Sequence, residues 1–282
     1  MYYIGPDSRE ECCKGKIVGL KGANVKQHTP KQQGGVSAPT YRIYPMVTAQ
    51  ALLSKMLFLY LIPNPGDIVA PALFWYIQGA GKHIIVDSAG SAKDLLENSR
   101  SGGWKDVNSF EACLAKVGIT PDEVDIVIQT HLHHDHVRNT PKCRNAKIYV
   151  QKAELEQARN PHPVNGNMYR WFAKYGRDLV YEVVEGDYEL FPGIELLFVP
   201  GHSAGCQAVA VNTDRGRAII TGFCTLYENF DPPASFNAPT PVICPGIHLD
   251  AAQAYESLLR VKEQADVILP MHEPLCAAEE YT

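Results

Sequence analysis

The sequence predicts an α/β fold of the layered type, and three observations carry that expectation. Short apolar runs rich in β-branched residues alternate with segments of helical spacing. Metal-ligand side chains recur just after those runs, near positions 131, 202, 224 and 272. The chain has 282 residues, 45% hydrophobic and 20% charged, enough to bury a sizeable core as one large domain or two small ones.

Residues 1–40 are polar, rich in Gly, Lys and Gln, and without clear periodicity. They read as an N-terminal extension, loosely ordered or packed outside, and residues 41–282 read as a single domain. Tyr41-Arg42-Ile43-Tyr44 is a candidate strand, and Pro63-Asn64-Pro65-Gly66-Asp67 is a turn cluster. Residues 72–77 and 83–87 are strands that Gly79-Ala80-Gly81-Lys82 joins as a hairpin. Residues 91–118 read as helical: Phe110, Cys113, Leu114 and Val117 share a helical face, and Gly118 is a suitable stop. Strands follow at 124–128 and 146–150, then a short helix at 152–159. Residues 160–177 hold Pro161, Pro163, Gly166 and several aromatics, and read as a helical insertion or a lid, with His162 a surface residue. Residues 181–191 read as strand, turn and strand around Gly186-Asp187. Residues 193–199 form a strong strand, with further strands at 207–211 and 218–221. A proline-rich loop covers 229–245. An amphipathic helix at 250–264 carries Ala254, Leu258, Leu259 and Val261 on or near one face, and a last strand covers 267–270.

No apolar run reaches the ~20 residues of a membrane span. The formal net charge of −5 and the lack of a basic block disfavour nucleic acid as a partner. Of eight cysteines only Cys12 and Cys13 are adjacent, and none form zinc-ribbon pairs. The expectation is a soluble, cytoplasmic protein acting on a small molecule, with neither nucleic acid nor membrane as partner and with a homodimer left open.

The densest signal is Thr130-His131-Leu132-His133-His134-Asp135-His136, which places four histidines and an aspartate in six consecutive positions. Imidazole and carboxylate are the ligands that borderline divalent metals prefer. The run leaves a strand end, where His131 and His133 can point one way while Asp135 and His136 turn toward a neighbouring position. That arrangement could serve two metals. His202 follows a strand within Pro200-Gly201-His202-Ser203-Ala204-Gly205, whose glycines would let the backbone come close to a ligand. His272 follows the last strand. Asp87, ending its strand, reads either as a turn former or as a carboxylate orienting a metal-bound histidine.

These residues resemble the metallo-β-lactamase-fold hydrolases: His131-x-His133-x-Asp135-His136, then His202 within Pro-Gly-His-Ser, then His272. The likeness covers roughly residues 41–275. It is greatest to the N-acyl homoserine lactonase group, through Val150-Gln151-Lys152-Ala153-Glu154, Glu185-Gly186-Asp187-Tyr188-Glu189 and Pro192-Gly193-Ile194-Glu195-Leu196-Leu197. The resemblance implies a four-layer αββα sandwich and two divalent metal ions, zinc first, with iron or manganese as alternatives. It implies that His131, His133 and His202 hold one metal, and Asp135, His136 and His272 the other. The family's bridging Asp is missing, since the chain reads Thr221-Gly222-Phe223-Cys224. Aligning Tyr227 with the family's tyrosine puts Cys224 in the bridging place. The alternative is that Phe223 replaces the Asp and Cys224 is an ordinary buried cysteine.

The activity so implied is hydrolysis of a lactone or related ester, by attack on the carbonyl of a hydroxide held between two cations. Asp135 would carry the proton to the leaving alkoxide and Tyr227 would stabilise the oxyanion. Trp171, Phe172, Tyr175, Phe230 and Phe236 read mainly as core, with lining of an acyl-chain pocket as the alternative. An iron-dependent redox enzyme on the same fold, of thiol dioxygenase type, is the alternative function.

Overall fold

In the computed structural model, which describes residues 39–97, 103–237 and 240–276, strands β1 (Arg42–Ser54) and β2 (Asp67–Gln78) form a long antiparallel ladder. The N-terminal extension expected at 1–40 lies almost wholly outside the described residues. By its internal contacts the chain divides into Met1–Ser37 and Ala38–Thr282, and only the second unit is described below.

Strand β3 (Ile84–Val86) pairs antiparallel with β2, as the glycine-rich turn between them requires. The stretch expected to be helical from 91 to 118 holds two short helices, α1 (Ala92–Leu96) and α2 (Phe110–Ala115). Strand β4 (Lys105–Asp106) lies between them and pairs with β1. Two N-caps set these helices. Ser91 and Asp94 form a capping box before α1, and the Ser109 side chain accepts from Ala112 N before α2. A second helix start inside the window breaks the single helix that spacing alone suggested.

Strands β5 (Ile126–Ile128), β6 (Lys147–Gln151) and β7 (Tyr181–Val184) add in parallel to β3. Helix α3 (His134–Val137) follows β5, and α4 (Lys152–Arg159) follows β6. The seven-stranded sheet runs β4-β1-β2-β3-β5-β6-β7. Strands β8 (Tyr188–Phe191), β9 (Ile194–Phe198), β10 (Gln207–Thr213) and β11 (Gly216–Ile220) form an antiparallel meander. After the short helix α5 (Tyr227–Phe230) and the long helix α6 (Ala251–Gln264), β12 (Val267–Leu269) pairs parallel to β11. The second sheet runs β12-β11-β10-β9-β8. Residues 181–191 are indeed strand, turn and strand, but β7 and β8 sit in different sheets, so Glu185–Asp187 is a crossover.

Alternation along the strands sorts the core into layers. Trp75, Ile77, Ile84, Val86, Ile126 and Ile128 of the first sheet pack on Leu196, Val209, Val211, Ile220 and Leu269 of the second. The outer face of the first sheet, with Phe74, Tyr76, Ile85 and Val127, is covered by Leu95, Phe110 and Leu114 of α1 and α2. The outer face of the second, with Leu197, Ala208, Ala210 and Ile219, is covered by Leu258 and Val261 of α6. The result is the four-layer αββα sandwich.

Strands β3, β5, β9, β11 and β12 all end toward one rim. There Gln207 ties the sheets together: its N donates to Thr130 O at 2.9 Å and its side-chain amide to Gln129 O at 2.8 Å.

Candidate metal centre

Strand β5 ends at Ile128, and the chain turns through Thr130 into α3. Here a buried carboxylate takes over. Asp87, at the end of neighbouring β3, is fully buried and adopts a left-handed φ of 62°, which Asp tolerates better than most residues. Its Oδ1 accepts from Thr130 N at 2.8 Å and its Oδ2 from Thr130 Oγ1 at 2.7 Å. The same Oδ2 lies 2.7 Å from His136 Nδ1. Of the two readings of Asp87, the structure shows the orienting carboxylate.

Three more imidazoles, those of His131, His202 and His272, are fixed in the same manner, through Nδ1. His131 Nδ1 lies 3.0 Å from Thr130 Oγ1, His202 Nδ1 2.7 Å from Ile247 O, and His272 Nδ1 3.2 Å from Pro71 O. With Nδ1 engaged, Nε2 is the nitrogen left for a metal. The Nε2 atoms of His131 and His202 face each other at 3.2 Å. His136 Nε2 and His272 Nε2 stand 3.6 and 3.9 Å from Asp135 Oδ2. His133 Nε2 and Asp135 Oδ1 are buried without a hydrogen-bond partner.

Two groups of ligand atoms result, His131/His133/His202 and Asp135/His136/His272, with the atoms of each within 4.8 Å of one another. The rings of His131 and His136, one from each group, are 4.0 Å apart. Orphaned Nε2 and carboxylate atoms converging in a buried setting fit divalent cations, and N/O donors of this kind are what such ions take. His133, which meets the ring of Tyr169 edge-on at 5.0 Å, completes the first group. His134 belongs to neither group.

The electrostatics of the first group favour ligation, while in the second burial pulls His136 down but the charges of Asp135 and Asp87 outweigh it and raise it. Burial, then the charges of neighbouring histidines, hold His131 and His133 well below the usual imidazole range. Burial pulls His202 down to about 4. These rings are therefore neutral and have lone pairs to donate. Burial pushes Asp135 up, but the neighbouring imidazoles, His136 first, outweigh it and keep the carboxyl well below its ordinary range.

Two expected residues stand apart. Cys224 is in neither group, and its Sγ donates to Leu57 O at 3.7 Å. It is buried beside Phe58 and Leu226, and burial, followed by the Asp135 charge, pushes its thiol well up. Tyr227 packs on the inter-sheet core with its hydroxyl 3.1 Å from Cys276 Sγ. Among the aromatics weighed for an acyl pocket, Trp171, Phe172 and Phe230 are buried in core clusters and Phe236 packs against the cluster around Cys224. Tyr175 is largely exposed under Lys174, and His162 is exposed.

Sequence reasoning missed Phe58, whose ring lies 5.5 Å from that of His272. It also missed the role of Glu154, which is fully buried and binds both histidine loops. One signal was present: Glu154 shares the buried face of α4 with Leu155 and Ala158, an acid where an apolar residue belongs. The glycines of the His202 loop also act otherwise than expected. A Cβ on Gly201 would meet Ala254 N at 2.2 Å, and one on Gly205 would meet Glu154 N at 2.1 Å. They let the loop close on α6 and α4.

The profile of the metallo-beta-lactamase superfamily matches residues 68–272. The chain belongs to the metallo-β-lactamase superfamily. A curated N-acyl homoserine lactonase of Bacillus cereus is 31% identical over 218 residues, 71% of this chain and 79% of that protein. A solved quorum-quenching N-acyl homoserine lactone lactonase superposes with a TM-score of 0.67 at 23% identity, covering 84% of this chain and 95% of the other. AidC, a dizinc quorum-quenching lactonase solved with a product, superposes with a TM-score of 0.61 at 12% identity, covering 85% and 90%. The metallo-β-lactamase frame and the metal groups make the chain a metal-dependent hydrolase. These relatives lend no support to the iron-dependent redox alternative. Among the described residues no helix is long and apolar enough to cross a membrane.

Proposed function

We propose that this hydrolase opens a lactone or related ester, with N-acyl homoserine lactones the class to test first and zinc the metal. The observation that carries the reading is the pair of adjoining ligand groups, His131/His133/His202 and Asp135/His136/His272, bridged by the close rings of His131 and His136. The lactonase name of the Bacillus cereus relative supports the choice of substrate class. Two bound cations would supply a nucleophilic hydroxide at neutral pH and Lewis acidity toward the substrate carbonyl.

The chain's own groups do the rest. Water oxygen adds to the carbonyl carbon, the ring C–O bond breaks, and the alkoxide takes up a proton. Asp135, set against His136 and His272, would take the proton released by the attacking water and pass it to the alkoxide. Tyr227 would turn its hydroxyl from Cys276 toward the developing oxyanion. Asp87 keeps His136 in one tautomer and one orientation. Cys224, which lies outside both groups but near enough to feel the Asp135 charge, is the residue that would serve as a ligand in place of the family's Asp, since thiolate is a good ligand for zinc.

The test is proton release from a panel of γ- and δ-lactones, N-acyl homoserine lactones and simple esters, before and after metal stripping and zinc re-addition. Turnover that chelation abolishes and zinc restores is expected, with His133→Ala inactive and poor in metal. No turnover on any member of the panel by fully metallated protein would sink the lactonase reading.

A further inference from the structure

Glu154 is a fully buried carboxylate to which the reaction above assigns no task. It sits in the first turn of α4, yet its bonds reach both histidine loops. Its Oε1 accepts from Leu132 N at 2.9 Å and from Tyr169 Oη at 3.1 Å. Its Oε2 accepts from Ser203 Oγ at 2.7 Å and from Gly205 N at 3.1 Å. Leu132 separates His131 from His133, Ser203 follows His202, and the Tyr169 ring meets the ring of His133 edge-on. Every histidine of the first group therefore neighbours a donor held by this one carboxylate. Four accepted bonds fill the lone-pair sites of a carboxylate, so Glu154 has no capacity left to act as a ligand itself.

We propose that Glu154 is a positioning residue. It clamps the loop of His131 and His133, which leaves the seven-stranded sheet, to the loop of His202, which leaves the five-stranded sheet, at the spacing one cation needs. The proposal rests on the reading that this group holds a metal. The His202 loop closes on α4 only because residue 205 has no side chain, which lets its N–H reach the carboxylate. Partners that orient metal ligands carry 10–100-fold in metal affinity as a rule, and one carboxylate holding two loops belongs at the upper end of that range.

Glutamine at 154 has the same size but presents an NH2 where the Gly205 N–H needs an acceptor, so it opens the clamp with the least change of volume. Ser203→Ala and Tyr169→Phe each remove a single donor. For each variant and the wild type we would measure zinc stoichiometry, zinc affinity by chelator competition, the visible spectrum of the cobalt-substituted protein, and the melting of the metal-free protein. Leu258→Ala, a cavity under α6, serves as a destabilising control.

The expected result is that Glu154→Gln weakens one of two zinc sites about 10–100-fold, alters the cobalt spectrum of that site, and leaves the other at wild-type affinity. Ser203→Ala does the same in smaller measure, and Leu258→Ala lowers melting with no effect on affinity. Glu154→Gln that binds both ions as wild type does would overturn the proposal. If Glu154→Gln does not fold, wild-type affinity in both Ser203→Ala and Tyr169→Phe overturns it equally. Wild-type protein that takes up no metal would instead refute the reading of the site, a result distinct from equal uptake by wild type and variants.

Discussion

At the scale of single residues, Cys224 is the proposed ligand that stands outside both groups. A buried thiol pushed up by desolvation and by Asp135 stays protonated unless a cation's charge draws the proton off. Cys224→Ser is therefore diagnostic. In cobalt-substituted protein the expected outcome is loss of sulfur-to-cobalt charge-transfer absorption in the near ultraviolet, with zinc held less tightly. An unchanged spectrum would return Cys224 to the role of a packed core residue donating to Leu57 O. The six imidazole and carboxylate side chains of the two groups, our proposed ligands, were legible because they follow strand ends in a compact vocabulary of His and Asp. Their supports were less so. Asp87 meets His136 and Glu154 meets Ser203 across 49 residues in each case, and such pairs leave no local period to read. Ile247 and Pro71 act through backbone carbonyls, which no residue type announces.

At the scale of elements, the period of apolar residues found what is local. Helix α4 spans the predicted residues, and β5, β6, β9 and β12 lie within a residue or two of expectation. What failed was non-local. Nothing in residues 181–191 says that β7 and β8 join different sheets, because that is decided by which neighbour each edge strand meets. The helix expected at 91–118 broke for the opposite reason, a capping serine that apolar spacing does not register. Caps carry measurable weight elsewhere. Asp250 Oδ1 accepts from Ala252 N at 2.9 Å and from Gln253 N at 3.1 Å at the start of α6. Asp250→Ala should cost about 1 kcal/mol in urea unfolding of the metal-free protein. A midpoint equal to wild type would mean that this end of α6 is held wholly by the loop bonds of Leu249 N and Asp250 N to Gly201 O.

At the scale of the molecule, each ligand group draws on both sheets. His131, His133, Asp135 and His136 leave the seven-stranded sheet, while His202 and His272 leave the five-stranded one. Cations that bind this arrangement and not the unfolded chain stabilise the sandwich by about 4 kcal/mol per ion at a thousandfold excess over Kd. Stripping zinc should lower the melting temperature by several degrees and re-addition should restore it. Equal melting with and without metal would show that the two sheets hold the groups assembled unaided.

The crossover at Glu185–Asp187 gives this division a further meaning. Among the described residues every strand before it belongs to one sheet and every strand after it to the other. Cleavage of the chain there would yield two fragments, each carrying one sheet and an incomplete share of both ligand groups. Neither fragment could coordinate as the whole does, and their reunion would have to rebuild both the inter-sheet core and the two groups at once.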